Sequence, residues 1–144
     1  MHPYGPRVYA VNAARSQILE EGIDGSIARH HSAVVACRVG IQAMGLELRP
    51  ASGDIAADCV TAVRVPDDFT RTTIVAAMRR DQRVTISGGL GDPIGKLFPI
   101  GHMGKMAQVL DVVVALAALE KTLVGLGTKV PPGAGVSATV ATWV

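Results

Sequence analysis

The sequence predicts an α/β fold of the α+β layer type: a small, mostly antiparallel sheet of three to four strands, with helices packed on one face and a long helix pair ahead of it. Three observations predict it. Apolar residues recur at helical spacing through residues 8–21 and again through 24–44, and a glycine closes each run. Short runs bounded by Pro or Gly follow at 46–49, 60–65, 83–87 and 96–100. A further helical run, 106–124, stops at Gly125 and Gly127. With 144 residues, 49% hydrophobic and 18% charged, the chain can build one compact core.

The elements can be justified in order. Val8, Val11, Ala14, Ile18 and Leu19 form the stripe of a first amphipathic helix, and Gly22 stops it. Asp24 then caps a longer helix to about residue 44, with Ile27, Val34, Val35, Ile41 and Met44 on one face and Gly45 at its end. Leu46 and Leu48 alternate with Glu47 and Arg49 as a brief strand, and 50–58 is a loop rich in small and polar residues. The run 60–65, VTAVRV, alternates cleanly and stops at Pro66. Asp67 and Asp68 stand where an N-cap and a first-turn carboxylate favour a helix through residue 80. Strands at 83–87 and 96–100 flank a tight loop, and 101–104 turns into the last helix. Leu110, Val113, Val114, Ala117 and Leu123 line that helix's apolar side, with Asp111 and Glu120 on its wet side. After Gly127 the small residues and prolines read as an extended tail in which Trp143 is either a packing anchor or disordered.

Composition excludes several classes of function. Aromatic content of 3% leaves too few rings for a nucleic-acid stacking platform, and the net charge of +2 is dispersed. The densest cationic spot, Arg79-Arg80, reads as the solvated C-terminal end of a helix. Cys37 and Cys59 lack metal spacing and read as small buried hydrophobes, and no His/Cys/Asp/Glu grouping has the spacing of a metal site. No run reaches the ~20 apolar residues of a membrane span. The N-terminus lacks a signal-peptide core, so a cytoplasmic location is expected.

The stretch 87–104, SGGLGDPIGKLFPIGHMG, is dense in glycine, so backbone does the work there. It is not a P-loop. A P-loop needs glycine where Leu90 stands and Ser or Thr where Leu97 stands. Together with ILEEGIDGSIARHH, GIQAMGLEL, TAVRVPD and DVVVALAALEKTL, in that order, the stretch resembles the C-terminal small domain of class V (fold type I) pyridoxal-phosphate aminotransferases. The branch it resembles acts on alanine or serine with glyoxylate, or on pyridoxamine with pyruvate.

That resemblance implies a linker helix over residues 1–22 normally packed on a large domain, the small domain over 23–126 and a tail over 127–144. It implies pyridoxal phosphate held by that large domain, in sequence outside this chain or on a separate chain. There a lysine forms the Schiff base and an aspartate holds the pyridine nitrogen. Lys96, Lys105, Lys121 and Lys129 do not match that lysine, so no catalytic residue is expected here. Gly89, Leu90 and Gly91 are expected to line the substrate side of the cleft, or else to form a purely structural hairpin. Pro99 stands where the family clamps the substrate carboxylate with arginine. Either the substrate differs or another arginine anchors it, or catalysis has been abandoned. Arg64 is the nearest substitute by sequence, though a solvated strand face is the plainer reading.

His102 is expected to make a structural hydrogen bond where the last helix begins, while the adjacent His30 and His31 are surface or interdomain residues. His2 aligns with a family threonine whose hydroxyl reaches the cofactor phosphate across the dimer, and it could still donate to phosphate. The whole enzyme would be a homodimer moving an amino group from an amino acid or pyridoxamine to a 2-oxo acid. The alternative is a non-catalytic module that keeps the fold for dimerisation or partner binding.

Overall fold

In a computed structural model, which describes residues 5–49, 55–87 and 95–143, the helix pair comes first. Helix α1 (Gly5–Glu21) and α2 (Ile23–Ala43) meet at Gly22, whose φ of 81° suits a residue without a side chain. The sheet has the order β1-β2-β3, from β1 (Leu48–Arg49), β2 (Val60–Arg64) and β3 (Leu97–Gly101), and both pairings are antiparallel. Helix α3 (Arg71–Ala77) runs on into a π turn (Met78–Gln82), and a 3-10 turn (Gly104–Met106) precedes α4 (Val109–Gly125). A last helix, α5 (Ala134–Ala141), packs against α2 and α4.

Strand alternation sorts the sheet into two faces. Thr61, Val63, Phe98 and Ile100 point into the core, where they join Cys37 and Ile41 of α2 and Leu116, Leu119 and Leu123 of α4. Each such large apolar side chain contributes about 1.5–3 kcal/mol through burial. Ala62, Arg64, Leu97 and Pro99 face the other way. Helix α1 buries none of its residues, and Val8, Val11, Ile18 and Leu19 lie open. Among the described residues that stripe stays largely uncovered, as the resemblance implies for a segment normally packed on a large domain.

Six expectations need correction. Asp24 does not cap α2: Gly22 holds the cap position without a side-chain bond, and Asp24 lies within the first turn. The buried faces of the long helices are also rotated from those expected, since α4 turns Val112, Leu116, Leu119 and Leu123 to the core while Leu110 and Val114 are exposed, as are Ile27 and Val35 of α2. Thr70, not Asp67 or Asp68, caps α3, its hydroxyl accepting from the Thr73 amide at 3.2 Å. Phe69 N–H closes a turn onto the Pro66 carbonyl at 3.0 Å, and that turn takes up both aspartates. Residues 83–87 form no strand, because the π turn ends at Arg83 in the left-handed region (φ 60°), which redirects the chain. The expected extended tail over 127–144 holds, at 134–141, the helix α5. Glu120, expected on the wet side, accepts hydrogen bonds from Gly133 N–H and, at 3.3 Å, from Gly135 N–H, satisfying free amides at the start of α5. Lastly, Cys59 is exposed where it was expected to be buried; Cys37 is buried as expected.

Candidate functional site

The sheet's open face is where the described residues bring the sequence's site candidates together. Ala62 pairs with Pro99 on one side and with Arg49 on the other, so Arg49, Ala62 and Pro99 form one row across the sheet. Arg64 pairs with Leu97 in the next row. Bonds from Val65 N to Lys96 O (2.7 Å) and from His102 N to Cys59 O (2.8 Å) set the alternation of the β2–β3 ladder. By that alternation Ala62–Pro99 is a non-hydrogen-bonded pair. The proline nitrogen therefore faces away from β2, towards an edge that no described strand covers, and its missing N–H costs no bond of the β2–β3 ladder.

Two arginines share this face with Pro99, and they differ. Arg64 Nη1 donates to Glu47 Oε2 at 3.0 Å, on a rim whose neighbouring groove of about 220 Å³ is lined by Gly45, Leu46, Val65, Pro66 and Asp67. Arg49 is exposed and makes no ion pair among the described residues. One strand separates it from Pro99, about 10 Å between backbones, which a guanidinium stem largely spans. Sequence reasoning missed Arg49, since only the register of the short β1 strand aligns it with Pro99.

Beneath this face lies a buried polar group. His102 Nε2 and Thr61 Oγ1 are 3.0 Å apart, and both side chains are buried. Burial lowers the His102 pKa to about 4, with the positive charges of Arg38 and His30 adding to the effect, so the ring is neutral at pH 7. It is a structural pin between β2 and the GHMG turn, as expected. Arg29 secures the turn from outside. It is held bidentately by Glu21 at 2.6 and 2.7 Å, and its Nη1 donates to the carbonyls of Gly104 (2.7 Å) and Ala107 (3.1 Å). His30 Nδ1 donates to the Ser26 carbonyl at 2.7 Å, and His31 meets Asp58 at 3.0 Å on the surface.

Cys37 lies in the same layer, and burial pushes its thiol up to about 12. A thiol so disfavoured as thiolate is inert, whereas Cys59 is open to solvent. One equivalent of a disulfide reagent is therefore expected to react quickly with the native protein, and the second only on unfolding. Fast labelling of both would show that the layer opens.

Gly89, Leu90, Gly91 and His2 lie outside the described residues. Lys96, Lys105, Lys121 and Lys129 are all exposed, and none sits in a desolvated pocket suited to covalent cofactor chemistry. Among the described residues no three His, Cys, Asp or Glu side chains come together as a metal site. No helix among them is long and apolar enough to cross a membrane. The described face presents Arg49 without an ion pair among the described residues, but it does not itself fit pyridoxal phosphate.

No protein-family model matches the chain. It is 38% identical over 142 residues to pyridoxamine–pyruvate transaminase of Mesorhizobium japonicum, covering 96% of this chain and 36% of that protein. It is 33% identical to L-aspartate–glyoxylate aminotransferase of Paracoccus denitrificans over 95% of this chain and 35% of the relative. Among solved structures, pyridoxamine–pyruvate aminotransferase of Mesorhizobium loti superposes with a TM-score of 0.85 at 38% identity, over 89% of this chain and 33% of that one. The Bacillus subtilis ureidoglycine–glyoxylate aminotransferase gives 0.83 at 26% identity, over 89% and 33%. The chain spans about a third of the length of the curated relatives it matches.

Proposed function

We propose, from the premise that this chain has the sequence and fold of the C-terminal domain of class V, pyridoxal-phosphate-dependent aminotransferases, that it forms the substrate-side wall of such an enzyme. Its large domain would hold the cofactor, which supplies the electron sink for moving an amino group from an amino acid or pyridoxamine to a 2-oxo acid. This chain's own residues do simpler work. The open sheet face covers the substrate, excludes water from one side and orients the carboxylate.

The observation that carries the reading is the row Arg49–Ala62–Pro99. At Pro99, where the resembling family carries its carboxylate clamp, there is neither charge nor donor, and Arg49, on the same row, makes no ion pair among the described residues. In this reading Arg49 takes over the clamp, with Arg64 held back by Glu47. The linker helix α1 would lay its open stripe on the large domain, and a homodimer would complete the site.

A chimera tests it: this chain grafted in place of the C-terminal third of the Mesorhizobium japonicum transaminase. The chimera is expected to turn over slowly. Pro99→Arg should raise kcat/KM about thirtyfold, since a buried charge-assisted anchor is worth about 2 kcal/mol or more. Arg49→Gln should lower the parent's kcat/KM and matter little once arginine stands at 99. A chimera that folds and binds the cofactor, yet is inert with either residue at 99, would favour the alternative: a dimerisation or partner-binding module that keeps the fold.

A further inference from the structure

The cationic pair Arg79-Arg80 is not simply the solvated end of a helix. The face of α3 and its π turn opposite the buried Ile74, Ala77 and Met78 is a groove of about 610 Å³, lined by Arg71, Thr72, Val75, Ala76, Arg79, Arg80 and Arg83. Four arginines line one groove in a chain whose formal net charge is only +2. Arg80 is engaged by its neighbour Asp81 at 2.6 Å. No ion pair joins Arg71, Arg79 or Arg83 to a carboxylate among the described residues.

Two further observations point to a ligand. Arg71, one of the lining residues, has a buried Nη1 without a hydrogen-bond partner among the described residues, an expensive state that turning the side chain to an acceptor in the groove would relieve. Arg83 is the one non-glycine residue with positive φ among those described, at 60°, and that backbone brings it to the groove instead of along a strand.

We propose that Arg71, Arg79, Arg80 and Arg83 form a binding groove for a small organic di- or triphosphate. The size fits a small-molecule site, and planar guanidinium forks match phosphate oxygens two at a time. Arg71 and Arg79 are eight residues apart, about 12 Å along a helix, so a single carboxylate cannot meet both. A chain of phosphates can. Val75 and Ala76 offer an apolar floor between them, and with no aromatic ring in the lining a nucleobase would gain no stacking. The groove belongs to α3, not to the sheet's open face, so it stands independently of the aminotransferase reading.

The test is calorimetric titration of inorganic tripolyphosphate into the full chain at low and at physiological salt. Saturable one-to-one binding is expected, weakening as salt rises. The double variant Arg79→Gln/Arg83→Gln should bind at least about tenfold more weakly at an unchanged melting temperature. Arg15→Gln/Lys121→Gln removes the same charge elsewhere and should stay within about twofold of the parent. Arg71→Lys keeps the charge without the fork and should fall between the two. Absence of saturable heat, equal loss in both double variants, or preference for poly-glutamate over tripolyphosphate would each overturn the proposal.

Discussion

Gly40→Ala is expected to cost about 3 kcal/mol of stability, the largest loss from adding a single methyl group anywhere in the described chain. A Cβ at Gly40 would collide with Leu116 Cδ1 of α4 and Thr139 Oγ1 of α5, and would lie 2.9 Å from the Gly135 carbonyl oxygen. Leu116 can rotate away. The carbonyl cannot, and Thr139 is pinned by its hydroxyl donating to Gly135 O at 2.8 Å and Ala36 O at 3.2 Å. Alanine's better helix propensity returns at most about 1 kcal/mol. Gly135→Ala makes the useful contrast, because its new methyl group meets Met44 at 2.9–3.2 Å, and a methionine side chain can swing aside. Urea unfolding of both variants decides the matter. A Gly40→Ala midpoint equal to the parent's, or Gly135→Ala as damaging as Gly40→Ala, would mean the three helices do not pack this closely. The functional consequence is indirect but definite: α2 supplies Cys37 and Ile41 beneath β2, so pushing α2 off α5 disturbs the sheet that carries Arg49 and Pro99.

That junction also marks where the sequence stops being legible. A contrast between wet and dry sides lets strands such as β2 declare themselves by period, and it gives α4 away as a helix though not which of its apolar residues are buried, since Leu110 and Val114 are exposed where Val112 and Leu116 are not. Helix α5 has no such contrast. Ala134, Gly135, Ala138 and Thr139 are small on every side, and what makes the segment helical is tertiary: the Glu120 carboxylate at its start and the close approach permitted by Gly40. Residues 83–87 fail for the opposite reason. Their alternation is genuine, but Arg83 leaves the π turn in a left-handed conformation that no local pattern announces.

The candidate site divides the same way. Pro99 stood out in the sequence because a motif surrounds it and the resemblance puts a carboxylate-binding arginine in its place. Arg49 was not, since a two-residue strand carries almost no periodic signal and its alignment exists only through pairing with β2. The arginines of α3 were visible as a pair and invisible as a foursome. Arg71 and Arg79 share a helix face by spacing, but Arg83 joins them only because the chain turns back at that residue.

Lowering the pH should weaken the fold through His102 before the carboxylates begin to matter. An unfolded histidine takes up its proton near pH 6.5, whereas the folded ring resists until about pH 4 because protonation would put a charge in the core beside Arg38 and His30. Between those values the unfolded state binds one more proton than the native state, so unfolding free energy rises with pH. The contribution is therefore complete above about pH 6.5, declines as pH falls, and is gone below about pH 4. Its size is on the order of 3 kcal/mol, because each tenfold change in proton affinity is worth about 1.4 kcal/mol. Glu21 and Asp81, whose arginine partners hold their pKa values low, lose their contributions only further into acid, so the window from pH 6.5 to 5 reports mainly on histidine. His102→Gln keeps a polar group within reach of the Thr61 hydroxyl and removes the titration. Urea unfolding of both proteins across that window should give a slope in the parent that largely vanishes in the variant, and parallel slopes would show that His102 is not the buried base. Because the ring ties β2 to the GHMG turn beside the open face, the same titration should loosen the row that holds Pro99. Acid would then weaken anion binding there even while Arg49 keeps its charge.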